Sequence, residues 1–340
     1  MLKKISIVVA CRNEEDHVVN MIKSVENSLY PLENIEVIIV DGMSQDNSIE
    51  NINKYALESK LTIKTLKNIK SKTPYAFNLG IKEASGDYIV ISGARFVFSS
   101  NYFQVIHEVL EKQNEVGCVG GRIINVYSNK ISEIISEAMA SPFGMGFGNF
   151  RTIEEDTFVD TVTPPAFRKE IFEEVGLFDE RLTRNQDDDF SYRLIKKGYK
   201  ILLKSNISIH YTVRASFQKL FKQFKQYGYW KVFVNKKHKT ITTYRQVFPL
   251  LFLISLILLP LLGFVSNYFF IFFIIELLIY LFLSVTFAIK KNNLHFSTII
   301  KFVCTCLILH LSYGLGYLEG IIHFLVLNKK PASKNEELSR

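Results

Sequence analysis

Apolar, β-branched runs alternate with longer amphipathic stretches over the first hundred residues. Ile5–Ala10 is an unbroken apolar run that opens into Cys11-Arg12-Asn13-Glu14. Such a run predicts a strand buried on both faces that delivers polar groups at its carboxyl end. A helix is predicted over Glu15–Leu29, closed by Pro31. Glu36–Val40 reads as a second buried strand, ending in Asp41-Gly42. A helix over Ser44–Lys60 follows, with Asp46 as a candidate cap, then a strand over Leu61–Leu66. Thr73–Ala84 reads as a helix with Pro74 in its first turn, and Gly86-Asp87 turns into a strand at Tyr88–Ser92. The repeating strand–helix order predicts a mostly parallel, Rossmann-like sheet with helices on both faces. Ligands bind such sheets at the carboxyl ends of the strands. Those ends carry Arg12, Asn13 and Glu14, then Asp41, then Gly93-Ala94-Arg95.

Further along, helices are expected at Asn101–Asn114, Arg168–Val175 and Asn185–Lys197. Strands are expected at Val116–Gly120, Phe158–Val162, Tyr199–Leu203 and Ile207–Tyr211. Ser141–Phe150 reads as a mobile glycine-rich loop. Ala215–Val234 is amphipathic, with Phe217, Leu220, Phe221, Phe224 and Tyr227 on one face and Lys219, Lys222 and Lys225 beside them. It is read as an interfacial helix on a membrane, with Tyr229 and Trp230 at the headgroup belt, in preference to a core-facing helix. Three apolar stretches follow, at Val247–Val265, Tyr268–Ile289 and Ile299–Leu327. Each is long enough to cross about 30 Å of hydrocarbon. The first two form a hairpin that keeps Lys290 and Lys291 inside. The third either spans, which puts Lys329, Lys330 and Lys334 outside, or is re-entrant or interfacial.

The expected division is 1–214 for a catalytic domain, 215–245 for the interfacial helix and basic linker, 246–328 for the anchor and 329–340 for a polar tail. The net charge of +8 is concentrated just before the apolar tail, which favours an anionic membrane face over nucleic acid. Cys11, Cys118, Cys304 and Cys306 form no Cys-x-x-Cys pair, which fits a reducing compartment and argues against a zinc site. No secretory signal precedes the first strand, so the catalytic domain is expected in the cytoplasm, on a multi-pass membrane protein. Without Gly-x-Gly-x-x-Gly after the first strand, a dinucleotide-dependent oxidoreductase is set aside, and a P-loop enzyme with it.

SIVVACRNEEDHV (6–18), VIIVDGMSQDNS (37–48) and Gly86-Asp87-Tyr88-Ile89 resemble the nucleotide-binding half of family 2 glycosyltransferases, which have the GT-A fold. SPFGMGFGNFR, PPAFRKEIFEEVGLFDERLTRNQDDDFSYRLIKKGYK and SFQKLFKQFKQYGYWK resemble the succinoglycan-type, exopolysaccharide-building branch of that family. The resemblance covers about residues 4–235. It implies a nucleotide-sugar donor held by Ala10, Arg12, Glu14 and Asp41, and inversion at the sugar. It implies a general base in the acidic motif, where Gln186 replaces the family's Glu and Asp187 keeps its Asp, with Asp188 and Asp189 beside it. The plain alternative is a helix cap with first-turn acids. The family's metal-binding Asp-x-Asp is replaced by Gly93-Ala94-Arg95, which has no ligand for a divalent metal. Either Arg95 neutralises the diphosphate, or the chain is an inactive GT-A scaffold of a polysaccharide assembly complex. His210 is a candidate phosphate or metal contact, or a structural histidine. Gln226 and Trp230 stand where processive synthases carry Gln-x-x-Arg-Trp, but the Arg is missing. One sugar passed to a lipid-linked acceptor is therefore expected, rather than a polymer.

Overall fold

The computed structural model describes residues 2–146, 153–213, 216–291 and 295–331. In chain order it contains β1 (Ile5–Cys11), α1 (Val18–Glu26), β2 (Ile35–Asp41), α2 (Ser48–Ala56), β3 (Thr62–Lys67), α3 (Thr73–Glu83), β4 (Tyr88–Gly93) and β5 (Phe96–Phe98). Then come α4 (Tyr102–Lys112), β6 (Val116–Val126), α5 (Lys130–Met139), α6 (Pro142–Met145), β7 (Thr157–Phe158), β8 (Ala166–Arg168), α7 (Ile171–Glu174), α8 (Gln186–Lys196) and β9 (Lys200–Thr212). The chain closes with α9 (Phe217–His238), α10 (Phe248–Gly263), α11 (Asn267–Lys291) and α12 (Phe296–Gly320), the last continued by a π-helical stretch, Ile321–Val326.

These elements form two units. The first holds residues 1–125 and 153–212; the second holds 126–152 and 213–340. The division differs from the contiguous boundary expected near residue 214, because α5 and α6 belong with the C-terminal helices. Of the expected glycine-rich loop, Pro142–Met145 is a short helix, capped by Ser141 Oγ accepting from Gly144 N at 3.0 Å. The Phe143 ring packs on Tyr280, Phe287 and His310 of α11 and α12. Residues 147–150 of that loop lie outside the described residues, as do Arg214, Ala215 and Lys334.

In the first unit the strands lie in the order β3-β2-β1-β4-β8-β6-β9-β5, with β7 also on β9. β3, β2, β1 and β4 pair in parallel. Every residue of β2, and all but Ala10 of β1, is buried, which follows from helices covering both faces. Beyond β4 the sheet is antiparallel, because β8 inserts between β4 and β6. Arg168 was expected to open a helix. It ends β8 instead, and its guanidinium donates to the carbonyls of Leu110, Gln113 and Val116, closing the α4–β6 turn. The two strands expected around residue 205 are one, β9. Its polar middle stays extended because Asp156 accepts from Ser205 N and Ser205 Oγ, both at 2.8 Å.

In the second unit, three helices are long and apolar enough to cross a membrane: Tyr244–Gly263, Asn267–Lys290 and Phe296–Val326. α9 departs from the expected membrane-surface helix. Tyr229 and Trp230 are fully buried, with Phe324 and Phe233 around the indole, so neither ring reaches a headgroup belt. Lys231 is also buried and donates to Thr243 Oγ1 at 3.1 Å. Glycines explain the burial. A Cβ on Gly316 would come within 1.9 Å of Lys225 O, and one on Gly228 within 2.1 Å of Tyr313 O. The backbones of α9 and α12 therefore touch, which only glycine permits.

Candidate active site

The parallel register sets the strand ends side by side. Ala10 pairs with both Val40 and Gly93, and Cys11 pairs with Asp41. The loops after β1 and β2 are then stitched together. Asn13 N donates to Ser44 Oγ at 2.9 Å, and Gln45 N donates to Asn13 Oδ1 at 2.8 Å. Glu14 N donates to Ser48 Oγ at 2.8 Å, and Glu15 N to Asp46 Oδ2 at 3.2 Å. Burial raises the Asp46 carboxyl, but hydrogen bonds from Ser48 and Glu15 N outweigh it and hold it below the usual range. Asn13 and Met43 both sit at positive φ, 53° and 64°, which asparagine adopts readily and methionine rarely.

Asp41 is buried, and its carboxylate accepts from Met43 N, Ser44 N and Ser44 Oγ at 2.6–3.2 Å. It shapes its own turn at the carboxyl end of β2. Gly42 leaves room for Arg12, whose Cβ and Cδ would lie 3.3 Å from a Cβ placed there. Ala94 is buried, and Arg95 Nε donates to Glu14 Oε2 at 2.7 Å. Neither Gly93 nor Arg95 has a side-chain oxygen to offer a metal. Among the described residues no group of three or more His, Cys, Asp or Glu side chains gathers that would hold a metal. His210 is exposed on β9, opposite Val97 of β5.

The other candidate residues stand at the start of α8. Asn185, at φ 60°, turns the chain into the helix, and its Nδ2 donates to Asp188 Oδ2 at 3.2 Å. Asp187 is exposed in the first turn and Asp188 partly so. Asp189 was expected among the catalytic acids. It is fully buried, and its Oδ2 accepts from Arg193 Nε at 3.0 Å. The same guanidinium donates to Val175 O and Leu177 O at 2.6 and 2.8 Å, so Asp189 anchors the turn that supports α8 and does not face a substrate. Asn78 of α3 bonds Phe178 through both N–H and C=O, tying that turn to the nucleotide half. Thr183 Oγ1, Asn185 Oδ1 and Gln186 Oε1 are buried without a hydrogen-bond partner among the described residues. Buried polar atoms in a native protein are nearly always paired, so these three stand out beside the acidic helix start. The reading of the sequence did not single out Thr183 or Asn185. Gln226 and Trp230, expected on the acceptor side, lie in the second unit and are both buried in the packing around α9.

The family model for glycosyl transferase family 2 matches residues 6–176, and that for glycosyl transferase family group 2 matches 96–318. The chain is 33% identical over 230 residues to the dolichyl N-acetyl-alpha-D-glucosaminyl phosphate 3-beta-D-2,3-diacetamido-2,3-dideoxy-beta-D-glucuronosyltransferase of Methanococcus voltae, covering 66% of this chain and 71% of that one. It is 29% identical over 247 residues to the succinoglycan biosynthesis protein ExoA of Rhizobium meliloti (strain 1021), covering 72% and 74%. In fold it matches the mannosyltransferase PcManGT from Pyrobaculum calidifontis, solved with GDP-Man and Mn2+. That match has a TM-score of 0.54 and 16% identity over 70% of this chain and 64% of that one. The match extends over less than two thirds of the mannosyltransferase and carries the fold alone. Strand-end loops, an acidic helix start and the family matches agree: the chain belongs to glycosyltransferase family 2, with a GT-A-like sheet and C-terminal helices apolar enough for a membrane.

Proposed function

We propose that this chain moves one sugar from a nucleotide-sugar donor to a lipid-linked saccharide acceptor, in exopolysaccharide or capsule assembly. The first unit works on the cytoplasmic face and the C-terminal helices hold it to the membrane. The observation that carries the reading is the start of α8. Asp187 is exposed in its first turn, while Asp189 beneath it is locked to Arg193. A carboxylate fixed on a rigid helix end is suited to take the proton of an acceptor hydroxyl. The acceptor oxygen then bonds to the sugar C1 as the bond from C1 to the diphosphate oxygen breaks, with inversion. The unpaired oxygens of Thr183, Asn185 and Gln186 are suited to sugar hydroxyls. The Methanococcus relative, named for a dolichyl phosphate sugar, supports a lipid-linked acceptor, and the Rhizobium relative, named for succinoglycan biosynthesis, supports exopolysaccharide assembly.

The test is transfer by the full chain in detergent or lipid, across a panel of nucleotide sugars, with lipid-linked and lipid-free acceptors. Product is expected with a lipid-linked acceptor. Asp187→Asn is expected to lower turnover about 10²–10⁴-fold while the protein stays folded. A folded wild type inactive with every donor and acceptor would turn the reading to the rival, a GT-A scaffold without catalysis. Equal rates on both acceptor types would remove the lipid.

A further inference from the structure

A sugar transferase must meet the charge that gathers on the departing diphosphate. Here the strand end that would hold a metal reads Gly93-Ala94-Arg95, and it offers a guanidinium in place of carboxylates. That guanidinium is placed in a specific way. Arg95 is anchored through Nε, 2.7 Å from Glu14 Oε2, and its side chain is 27% exposed. Among the described residues neither Nη group has a protein partner. A planar guanidinium held at one edge keeps its fork open for the paired oxygens of a phosphate. Glu14 is itself fixed: its N–H is bonded to Ser48 Oγ, residues 13 and 15 are bonded to the β2 loop, and its side chain is only 13% exposed.

We propose that Arg95, oriented by Glu14, takes the place of the divalent cation, so that the donor diphosphate binds without metal. The inference rests on the transferase reading and adds the group that meets the leaving phosphate. As the bond from C1 to the diphosphate oxygen breaks, its electron pair stays on the diphosphate. The acceptor's proton goes to Asp187, and the Nη groups of Arg95 donate to the new charge. Glu14, expected from the resemblance to line the donor pocket, acts on the phosphate through Arg95, as a positioning residue.

The experiment is calorimetric titration of UDP and GDP into the full chain in detergent, once with EDTA and once with Mn2+. The better-bound nucleotide is expected to have the same affinity in both. Arg95→Ala is expected to weaken it about tenfold to a hundredfold, the worth of charge-assisted hydrogen bonds. Glu14→Ala is expected to weaken it about tenfold, and Glu14→Gln, which keeps an acceptor for Nε, to restore most of the loss. A double variant, Gly93→Asp with Arg95→Asp, rebuilds two carboxylates. A Cβ at Gly93 meets only the Phe96 ring, at 3.7 and 3.9 Å, so the change fits. Nucleotide binding in that variant is expected to need Mn2+. Wild-type binding that needs Mn2+, unchanged affinity in Arg95→Ala, or EDTA-resistant binding in the double variant overturns the inference and leaves the transferase reading standing. A folded wild type that binds neither nucleotide under either condition overturns both.

Discussion

Glu36 stands near the start of β2 with its carboxylate 1% exposed and crowded by donors. Its Oε1 accepts from Ser6 Oγ at 2.5 Å, Ser85 N at 2.7 Å and Ser85 Oγ at 2.8 Å, and Lys4 Nζ lies 3.4 Å from Oε2. Burial alone raises such a carboxyl. The bonds from Ser6 and Ser85 and the Lys4 charge win and bring it down to about 2. A depressed folded-state value means the native protein holds fewer protons than the unfolded chain in acid. This contribution is therefore complete above about pH 4.5, the ordinary value for Glu, and is lost as pH falls from there to about 2. It amounts to roughly 3 kcal/mol. Unfolding of wild type and Glu36→Gln in detergent is expected to give curves that differ most at neutral pH and converge toward pH 2. Parallel curves would show that Glu36 makes no such contribution. Residue-scale roles of this kind are hard to read from a sequence. Asp187, Asp188 and Asp189 look alike in a row, and only the fold sends one to solvent and one to Arg193.

Elements with a strong period were legible. β1, β2 and β4 are largely apolar runs, and α10 and α11 are long and mostly apolar, so each was predicted within a few residues. β5 and β8 have three residues each, too few to show any period, and with them went the antiparallel half of the sheet. The strand-end positions of the candidate residues were legible because the parallel register sets those ends side by side. The Glu14–Arg95 pair and the unpaired oxygens of Thr183, Asn185 and Gln186 depend on contacts between distant segments. α9 shows the same limit. Its aromatic face suggested a membrane surface, yet Phe221 is 38% exposed while Gln226 and Trp230 are buried, because Gly228 and Gly316 let α12 approach. Gly316→Leu is expected to force the two helices apart, at a cost of about 1–3 kcal/mol or more. Trp230 is the sole tryptophan and fully buried in this packing, so its fluorescence reports the change. A red shift in emission and a lower unfolding midpoint are expected. Unchanged emission would mean that the glycine contact does not hold α9.

At the scale of the whole molecule, the packing of the second unit bears on how often the chain crosses the membrane. The three apolar helices are unequally covered by protein: 17% of the apolar window in the first, 6% in the second and 44% in the third. The third is covered by α9. Contacts pair Lys225 with Gly316, Tyr229 with Gly320 and Lys236 with Phe324, advancing in the same direction along both helices. α9 brings charge with it: Lys225 pairs with Glu319 at 2.7 Å, both side chains about one-third exposed. Such a pair is costly in hydrocarbon and ordinary at a wet interface. The positive-inside rule points the same way. If only α10 and α11 cross, the lysines of α9, Lys290–Lys291 and Lys329–Lys330 all fall on one side; if α12 also crosses, the last pair is stranded outside. Two crossings are therefore expected, with the C-terminal end of α12 on the side of α9. Single cysteines at Lys239, Ser266 and Lys329, in a background whose native cysteines are replaced, would be labelled with an impermeant maleimide in right-side-out and inverted vesicles. Positions 239 and 329 are expected to react in inverted vesicles and position 266 in right-side-out ones. Reaction of 266 and 329 from the same side would establish a third crossing and require the Lys225–Glu319 pair to lie within the membrane.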